Sequence, residues 1–312
     1  MVMRAEHVRL VFYVALSRIL MFRYFSRCIK NDKMEAVFNR IGKERTMKVL
    51  KVKDIVLKPG RPKVVVPITG NTPEKIIEEC ERAAALPCDI IEWRADYYLA
   101  SVPDLEEALK TKEAYLDMVK ILDDVNYIAG SKPVIFTVRR KGQGGQVEIS
   151  KEQNDSIWSL VAQSQLADFI DVELFDENDT VDEYKLEDQI AQIHDYGGRV
   201  ILSYHDFDRM PKPEEIINLV RVMYDLGPDI CKVAAMANSE ADARNILKAT
   251  AYLTKNGIGP LITMAMGPLG TSTRVASGKY GSCMTFASGA EESAPGQADI
   301  FKMKKWLDDY YG

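Results

Sequence analysis

After residue 62 the sequence repeats one device eight times: a short apolar run, then a stretch with helical character. The runs are KVVVPI (63–68), DIIEWR (89–94), PVIFTVR (133–139), FIDVELF (169–175), RVILSYH (199–205), DICKVAA (229–235), GPLITMAM (259–266) and SCMTFAS (282–288). Near-continuous apolar runs of this length, rich in Val and Ile, read as strands buried on both faces. The clearest helix signals lie at 72–85, which opens with Thr72, Pro73 and Glu74, and at 213–226, which opens with proline and two glutamates and stops at Gly227. A third runs over 239–254 from a Ser239 cap, and 297–310 closes the chain. The strand starts fall 23 to 44 residues apart within the 266 residues from Met47 onward. That size and order predict an α/β protein, a (β/α)8 TIM barrel. Ahead of it, VLKVKDIVLKPG (49–60) alternates apolar and polar residues and ends at Pro59-Gly60, the pattern of an N-terminal β-hairpin. A doubly wound sheet is the alternative, but no GxGxxG or GxxxxGK[ST] follows any strand. GGQ (144–146) and SGAEESAPGQ (288–297) read as mobile loops.

Residues 1–46 differ from the rest. They hold ten Lys/Arg against four Asp/Glu, a net of +6, so the remaining residues carry −5 − 6 = −11. Their apolar run over 8–22 is broken by Arg9 and Arg18 and is too short for a spanning helix. No small-residue cleavage site follows it, which argues against a secretory signal. An amphipathic membrane-surface helix fits the pattern. The reading preferred is a basic N-terminal extension outside the fold, with Met47 the natural start and 47–312 a single catalytic barrel. The net charge of −5 does not suit nucleic acid. Five cysteines, odd in number, scattered and without a CxxC pair, argue against a disulfide framework or zinc site and suit a reducing compartment such as the cytoplasm. Only His7, His194 and His205 are available, too few for a multi-histidine metal centre.

In a barrel of this kind function sits at the carboxyl ends of the strands. The second run ends with Glu92 and Arg94, the third with Arg139 and Arg140, and the fourth carries Asp171 and Glu173 on one face. The fifth ends with His205, the sixth carries Lys232 inside DICKVAAMA, and the seventh carries Met264 and Met266 with Arg274 beyond it. Ser293 and Gln297 follow the eighth. Taken alone, Lys232 reads first as a lysine that snorkels from a strand end. Ionisable groups on five successive strands change that, because they are hard to leave unpaired inside a barrel. They imply either a buried ion-pair network, such as Glu92–Arg94–Glu173–Arg139, or a convergent small-molecule site. His205 and Lys232 fall on neighbouring strands about 5 Å apart. They form a candidate base and amine nucleophile, with apolar neighbours and a nearby positive charge favouring the free amine. Glu173 is placed to accept the other imidazole N–H and fix its tautomer.

FTVRRKGQGG, DVELF, ILSYHDF, ICKVAAMA, ITMAMG and SAPGQ, in this order and with EWRADYY ahead of them, resemble the type I 3-dehydroquinate dehydratases over roughly residues 47–312. The resemblance implies a homodimeric barrel, without metal or organic cofactor, that converts 3-dehydroquinate to 3-dehydroshikimate. It implies that Lys232 is the Schiff-base lysine, His205 the acid/base and Glu173 its supporting carboxylate. By the same resemblance Glu92, Arg94 and Arg139 are substrate-site residues and Arg274 binds the substrate carboxylate. Ser293 and Gln297 belong to a closing loop, and Met264 and Met266 to an apolar wall. Two features depart from the family pattern: Pro67 stands where a small polar residue is common, and residues 1–46 have no counterpart. No shikimate dehydrogenase half follows. Two other functions compete with this one. A sugar-phosphate aldolase of the imine type would need a phosphate site, for which MGPLGTSTR offers glycines. A non-catalytic metabolite-binding barrel would have no use for Lys232, His205 and Glu173 together.

Overall fold

A computed structural model describes residues 49–289, 294 and 296–312. The extension over 1–46 and Ser293 lie outside the described residues. Among the described residues there are ten strands: β1 Leu50–Val52, β2 Ile55–Leu57, β3 Lys63–Ile68, β4 Ile90–Arg94, β5 Val134–Thr137, β6 Phe169–Glu173, β7 Val200–Asp206, β8 Ile230–Met236, β9 Leu261–Met266 and β10 Met284–Phe286. The helices are α1 Pro73–Ala85, α2 Ala95–Leu99, α3 Leu105–Lys110, α4 Glu113–Ala129, α5 Lys151–Ser164, α6 Glu183–Asp195, α7 Pro213–Asp225, α8 Glu240–Lys255, α9 Thr271–Tyr280 and α10 Ile300–Tyr311. One compact body comprises Met47–Leu174 and Asp182–Gly312. Residues Phe175–Val181 belong to a second unit, within which Asp176 Oδ1 accepts from the Asn178 and Thr180 N–H groups at 2.9 and 2.8 Å.

The expected eight-stranded parallel sheet is present, ordered β10-β3-β4-β5-β6-β7-β8-β9. It closes through a parallel bridge between Leu261 and Ser282, with the Cys283 N–H donating to the Leu261 carbonyl at 2.7 Å. The predicted hairpin is also present: β1 and β2 pair antiparallel, Leu50 opposite Leu57. Leu50, Val52 and Leu57 join Val65, Ile90, Ile135, Phe169, Ile201 and Ile230 in one buried cluster, so the hairpin closes the floor of the barrel. Each such fully buried side chain is worth about 1.5–3 kcal/mol relative to exposure.

A repeated aspartate sets the start of alternate strands. Asp89, Asp168 and Asp229 each precede a strand, and their side chains accept from the Val64, Val134 and Val200 N–H groups at 2.8, 2.8 and 2.9 Å. Each also donates its own N–H to the carbonyl of the same valine, at 2.8 to 3.0 Å. The end N–H of the preceding strand, which has no ladder partner there, is thereby satisfied.

The helix signals at Thr72 and Ser239 hold at their caps: Thr72 Oγ1 accepts from Lys75 N at 3.4 Å and Ser239 Oγ accepts from Asp242 N at 3.2 Å. Ser150, which no sequence signal marked, forms a capping box with Gln153. The last helix begins at Ile300 rather than 297, because Asp299 is its cap, accepting from Phe301 N at 2.9 Å. No helix among the described residues is long and apolar enough to cross a membrane.

Candidate active site

Side chains alternate along each strand, so every second residue faces the barrel interior. The inward series run Ile90-Glu92-Arg94, Ile135-Thr137, Phe169-Asp171-Glu173, Ile201-Ser203-His205 and Ile230-Lys232-Ala234. Each starts apolar at the floor and turns polar two residues higher. Register aligns Thr137 with Asp171, Glu173 with Ser203 and Ser203 with Lys232. A polar layer therefore rests on the apolar one, and a pocket opens above it.

Lys232 is 5% exposed and lies in this layer. Its Nζ donates to Asp171 Oδ2 at 3.0 Å, stands 3.8 Å from Glu92 Oε1, and sits 4.7 Å above the Phe286 ring. Asp171 is fully buried and lies between two cations. Its Oδ1 meets Arg139 Nη2 at 2.8 Å and accepts from Ser203 Oγ at 2.6 Å. Burial pushes the Asp171 carboxyl up, but Arg139 and Lys232 outweigh it and hold the acid below the ordinary carboxylate range. Arg139 also donates to Glu173 Oε1 at 3.2 Å and to Ser203 Oγ at 2.9 Å. The ion-pair network expected from the strand ends thus exists in altered form, with Asp171 at its centre. Glu92 accepts from Thr137 Oγ1 at 2.9 Å. Arg94 is turned to Asp96, which grips it in bidentate fashion at 2.7 and 2.8 Å.

Two expectations need correction. Glu173 does not support His205. Its Oε1 accepts from Arg140 N at 3.0 Å and its Oε2 from Arg140 Nε at 2.5 Å, so the two arginines after β5 take both oxygens. Among the described residues His205 Nδ1 has no hydrogen-bond partner. The positive charge expected to act directly on Lys232 has a carboxylate interposed, because Asp171 separates it from Arg139.

His205 is half-buried at the pocket wall, stacked on Phe207 with ring centroids 6.3 Å apart. Burial first, then the cations Arg139, Lys232 and Arg94, hold its imidazole well below the ordinary histidine range. It is therefore uncharged at neutral pH and able to accept a proton. Arg274, in the second turn of α9, is buried with Nη1 3.4 Å from Met264 Sδ. Met264, Met266, Arg274 and Gln297 line the same pocket as Lys232, His205, Glu92, Arg94 and Arg139, around a cavity of about 520 Å³ that includes open solvent. Glu173 is buried and does not line this pocket, held by its arginines. Asp171, Thr137, Ser203, Asp96 and Gln143 complete the site without having been assigned a role from sequence. The signal for Asp171 and Ser203 was the step of two back from Glu173 and His205 along each strand.

The glycines of MGPLGTSTR have packing reasons. Gly267 sits at φ +78, and a Cβ at Gly270 would collide with the Ala265 carbonyl. They call for no phosphate. Among the described residues no three His, Cys, Asp or Glu side chains gather as a metal site.

The model for type I 3-dehydroquinase matches residues 64–311. A 3-dehydroquinate dehydratase from Syntrophotalea carbinolica is 36% identical over 263 residues, which cover 84% of this chain and 98% of that protein. One from Alkaliphilus oremlandii is 37% identical over 259 residues, 82% of this chain and 95% of its own length. Among solved structures, 3-dehydroquinate dehydratase from Geobacillus kaustophilus superposes with a TM-score of 0.75 at 30% identity, over 85% of this chain and 96% of the other. A type I enzyme from Clostridium difficile, solved with covalent modified comenic acid, gives the same TM-score and identity over 85% of this chain and 98% of that one.

Proposed function

The chain belongs to the type I 3-dehydroquinase family, and on that premise we propose that it dehydrates 3-dehydroquinate to 3-dehydroshikimate through an imine on Lys232. One observation carries this reading: a buried lysine amine on the floor of a charged pocket, with an uncharged histidine two residues higher on the neighbouring strand.

The chemistry accounts for the residue types. The proton to be removed lies beside a ketone and is a weak carbon acid. Lys232 condenses with that ketone, water leaves, and the protonated imine draws electrons as the neighbouring proton departs. The imine carries the same single positive charge as the ammonium it replaces. Asp171 and Glu92, which balance the one, balance the other without rearrangement. His205 takes the proton from carbon as the enamine forms, and returns it to the leaving hydroxyl as water departs. Hydrolysis of the product imine then frees Lys232. Arg274 grips the substrate carboxylate. Arg139 holds Asp171 in place, and Arg94 is aimed by Asp96. Met264 and Met266 form the apolar wall, and Gln297 lines the pocket with them.

The catalytic body is 47–312, with 1–46 outside it; the family match over 64–311 supports this. The chain acts as a homodimer in the cytoplasm, as its family resemblance implies. Incubating the protein with 3-dehydroquinate and following conjugated-enone absorbance tests the function. Wild type should turn substrate over and Lys232→Ala should not. Normal turnover by Lys232→Ala would reject the imine route.

A further inference from the structure

With Glu173 taken by Arg139 and Arg140, the residue that does reach the end of β7 is Gln143, on the short 3-10 turn Lys141–Gln143. Its Oε1 accepts from the His205 backbone N–H at 3.0 Å. A backbone N–H can only donate, so the orientation of the amide is settled: oxygen toward β7, NH2 on the other branch. Gln143 is buried and lines the pocket beside His205. Among the described residues no hydrogen bond is made by that NH2 group. The same turn is joined to the end of β7 a second time. Gly144, at φ +81, packs so closely under Phe207 that a Cβ there would collide with its ring, and Phe207 stacks on His205.

We propose that Gln143 is a positioning residue for His205: its carbonyl holds the main chain from which the imidazole projects, and it brings an amide, not a carboxylate, to the histidine's side of the pocket. The charged groups acting on the ring come from three elements, Arg94 at the end of β4, Arg139 after β5 and Lys232 on β8, and all are cations. The acids nearby are otherwise occupied: Glu92 with Thr137, Asp171 with Lys232 and Arg139, Glu173 with Arg140 and Arg139. A neutral amide at 143 gives an imidazolium no counter-charge, so the base keeps its proton-accepting form into mild acid.

This inference rests on His205 acting as the base of the imine reaction, and its test separates the two. Histidine-selective 15N labelling gives signals from only His7, His194 and His205. Gln143→Glu retains an oxygen for the His205 N–H and adds a charge. It should raise the His205 titration midpoint by about one pH unit or more, the size expected for a new opposite charge within about 4–6 Å. The acidic limb of kcat/KM should move by the same amount. Gln143→Met removes the carbonyl. It should lower kcat by about tenfold or more, the low end for a misplaced acid–base group, leave KM within about twofold, and still trap the imine on Lys232. An unmoved His205 midpoint in Gln143→Glu, or a wild-type kcat in Gln143→Met, overturns the inference. Failure of wild type itself to trap an imine overturns the imine mechanism instead and leaves the titration result standing.

Discussion

Asp171→Asn isolates the interaction on which the site's geometry depends. The side chain keeps its volume and loses its charge. Arg139 Nη2 at 2.8 Å and Lys232 Nζ at 3.0 Å then face an amide, whose NH2 opposes one of these donors. Removing one member of a fully buried ion pair costs about 3–5 kcal/mol. Here Arg139 keeps Glu173 at 3.2 Å and Lys232 keeps Glu92 at 3.8 Å, so the low end applies. A loss of about 3 kcal/mol corresponds to a fall in Tm of roughly 6–12 °C for a domain of this size. Denaturant unfolding followed by tryptophan fluorescence measures it, since Trp93 is fully buried against Phe136. Lys232→Met in the Asp171→Asn background removes one stranded cation. The double variant should therefore be more stable than the sum of the single effects by about 1–2 kcal/mol. Additivity within about 0.5 kcal/mol would show that Asp171 and Lys232 are not energetically coupled, and the account of the polar layer would fail.

Three further outcomes follow from the geometry. His205 is half-buried and uncharged while an unfolded histidine titrates near pH 6.5, so the unfolded state binds the extra proton first and stability falls as pH drops below that value. From pH 6.5 to 5.5 this one group removes about 1 kcal/mol, and unfolding curves at the two pH values should show a smaller loss for His205→Gln. Arg274→Met should cut kcat/KM by about 10–150-fold, the worth of about 1.5–3 kcal/mol for hydrogen bonds to a charged group; an unchanged KM would remove Arg274 from the carboxylate site. A chain beginning at Met47 should keep full turnover and the same Tm, and lost activity would return 1–46 to the catalytic body.

The barrel was legible because both faces of each strand are apolar at the floor, and this survives any ambiguity at the ends. Strand ends were harder, because inward polar residues interrupt the apolar pattern where β5 stops at Thr137 and Arg139 turns into the pocket. Lys232 and His205 stood out as ionisable residues within or at the end of apolar runs. Asp171 shared a face with Glu173 and was still given no role, because sequence spacing shows which side a residue takes and not which of several cations reaches it. That same limit produced the mistaken Glu173–His205 pair: Arg139 and Arg140, one strand away, compete for the carboxylate more strongly than a neutral imidazole. Gln143 sits in a turn where no periodicity applies, and only its contact with the β7 backbone gives it meaning. Asp299 caps the last helix two residues beyond Gln297, where the sequence reading starts it, because its side chain accepts from the first-turn N–H groups.

The proposed reaction depends on a covalent bond between substrate and Lys232. Borohydride added during turnover of 3-dehydroquinate, followed by digestion and peptide mass mapping, tests it directly. Wild type should give a reduced adduct on the peptide carrying Lys232, His205→Ala the same adduct with turnover reduced by about 10²–10⁴-fold, and Lys232→Ala none. Full turnover without any trapped adduct, or an adduct on another lysine, would contradict it.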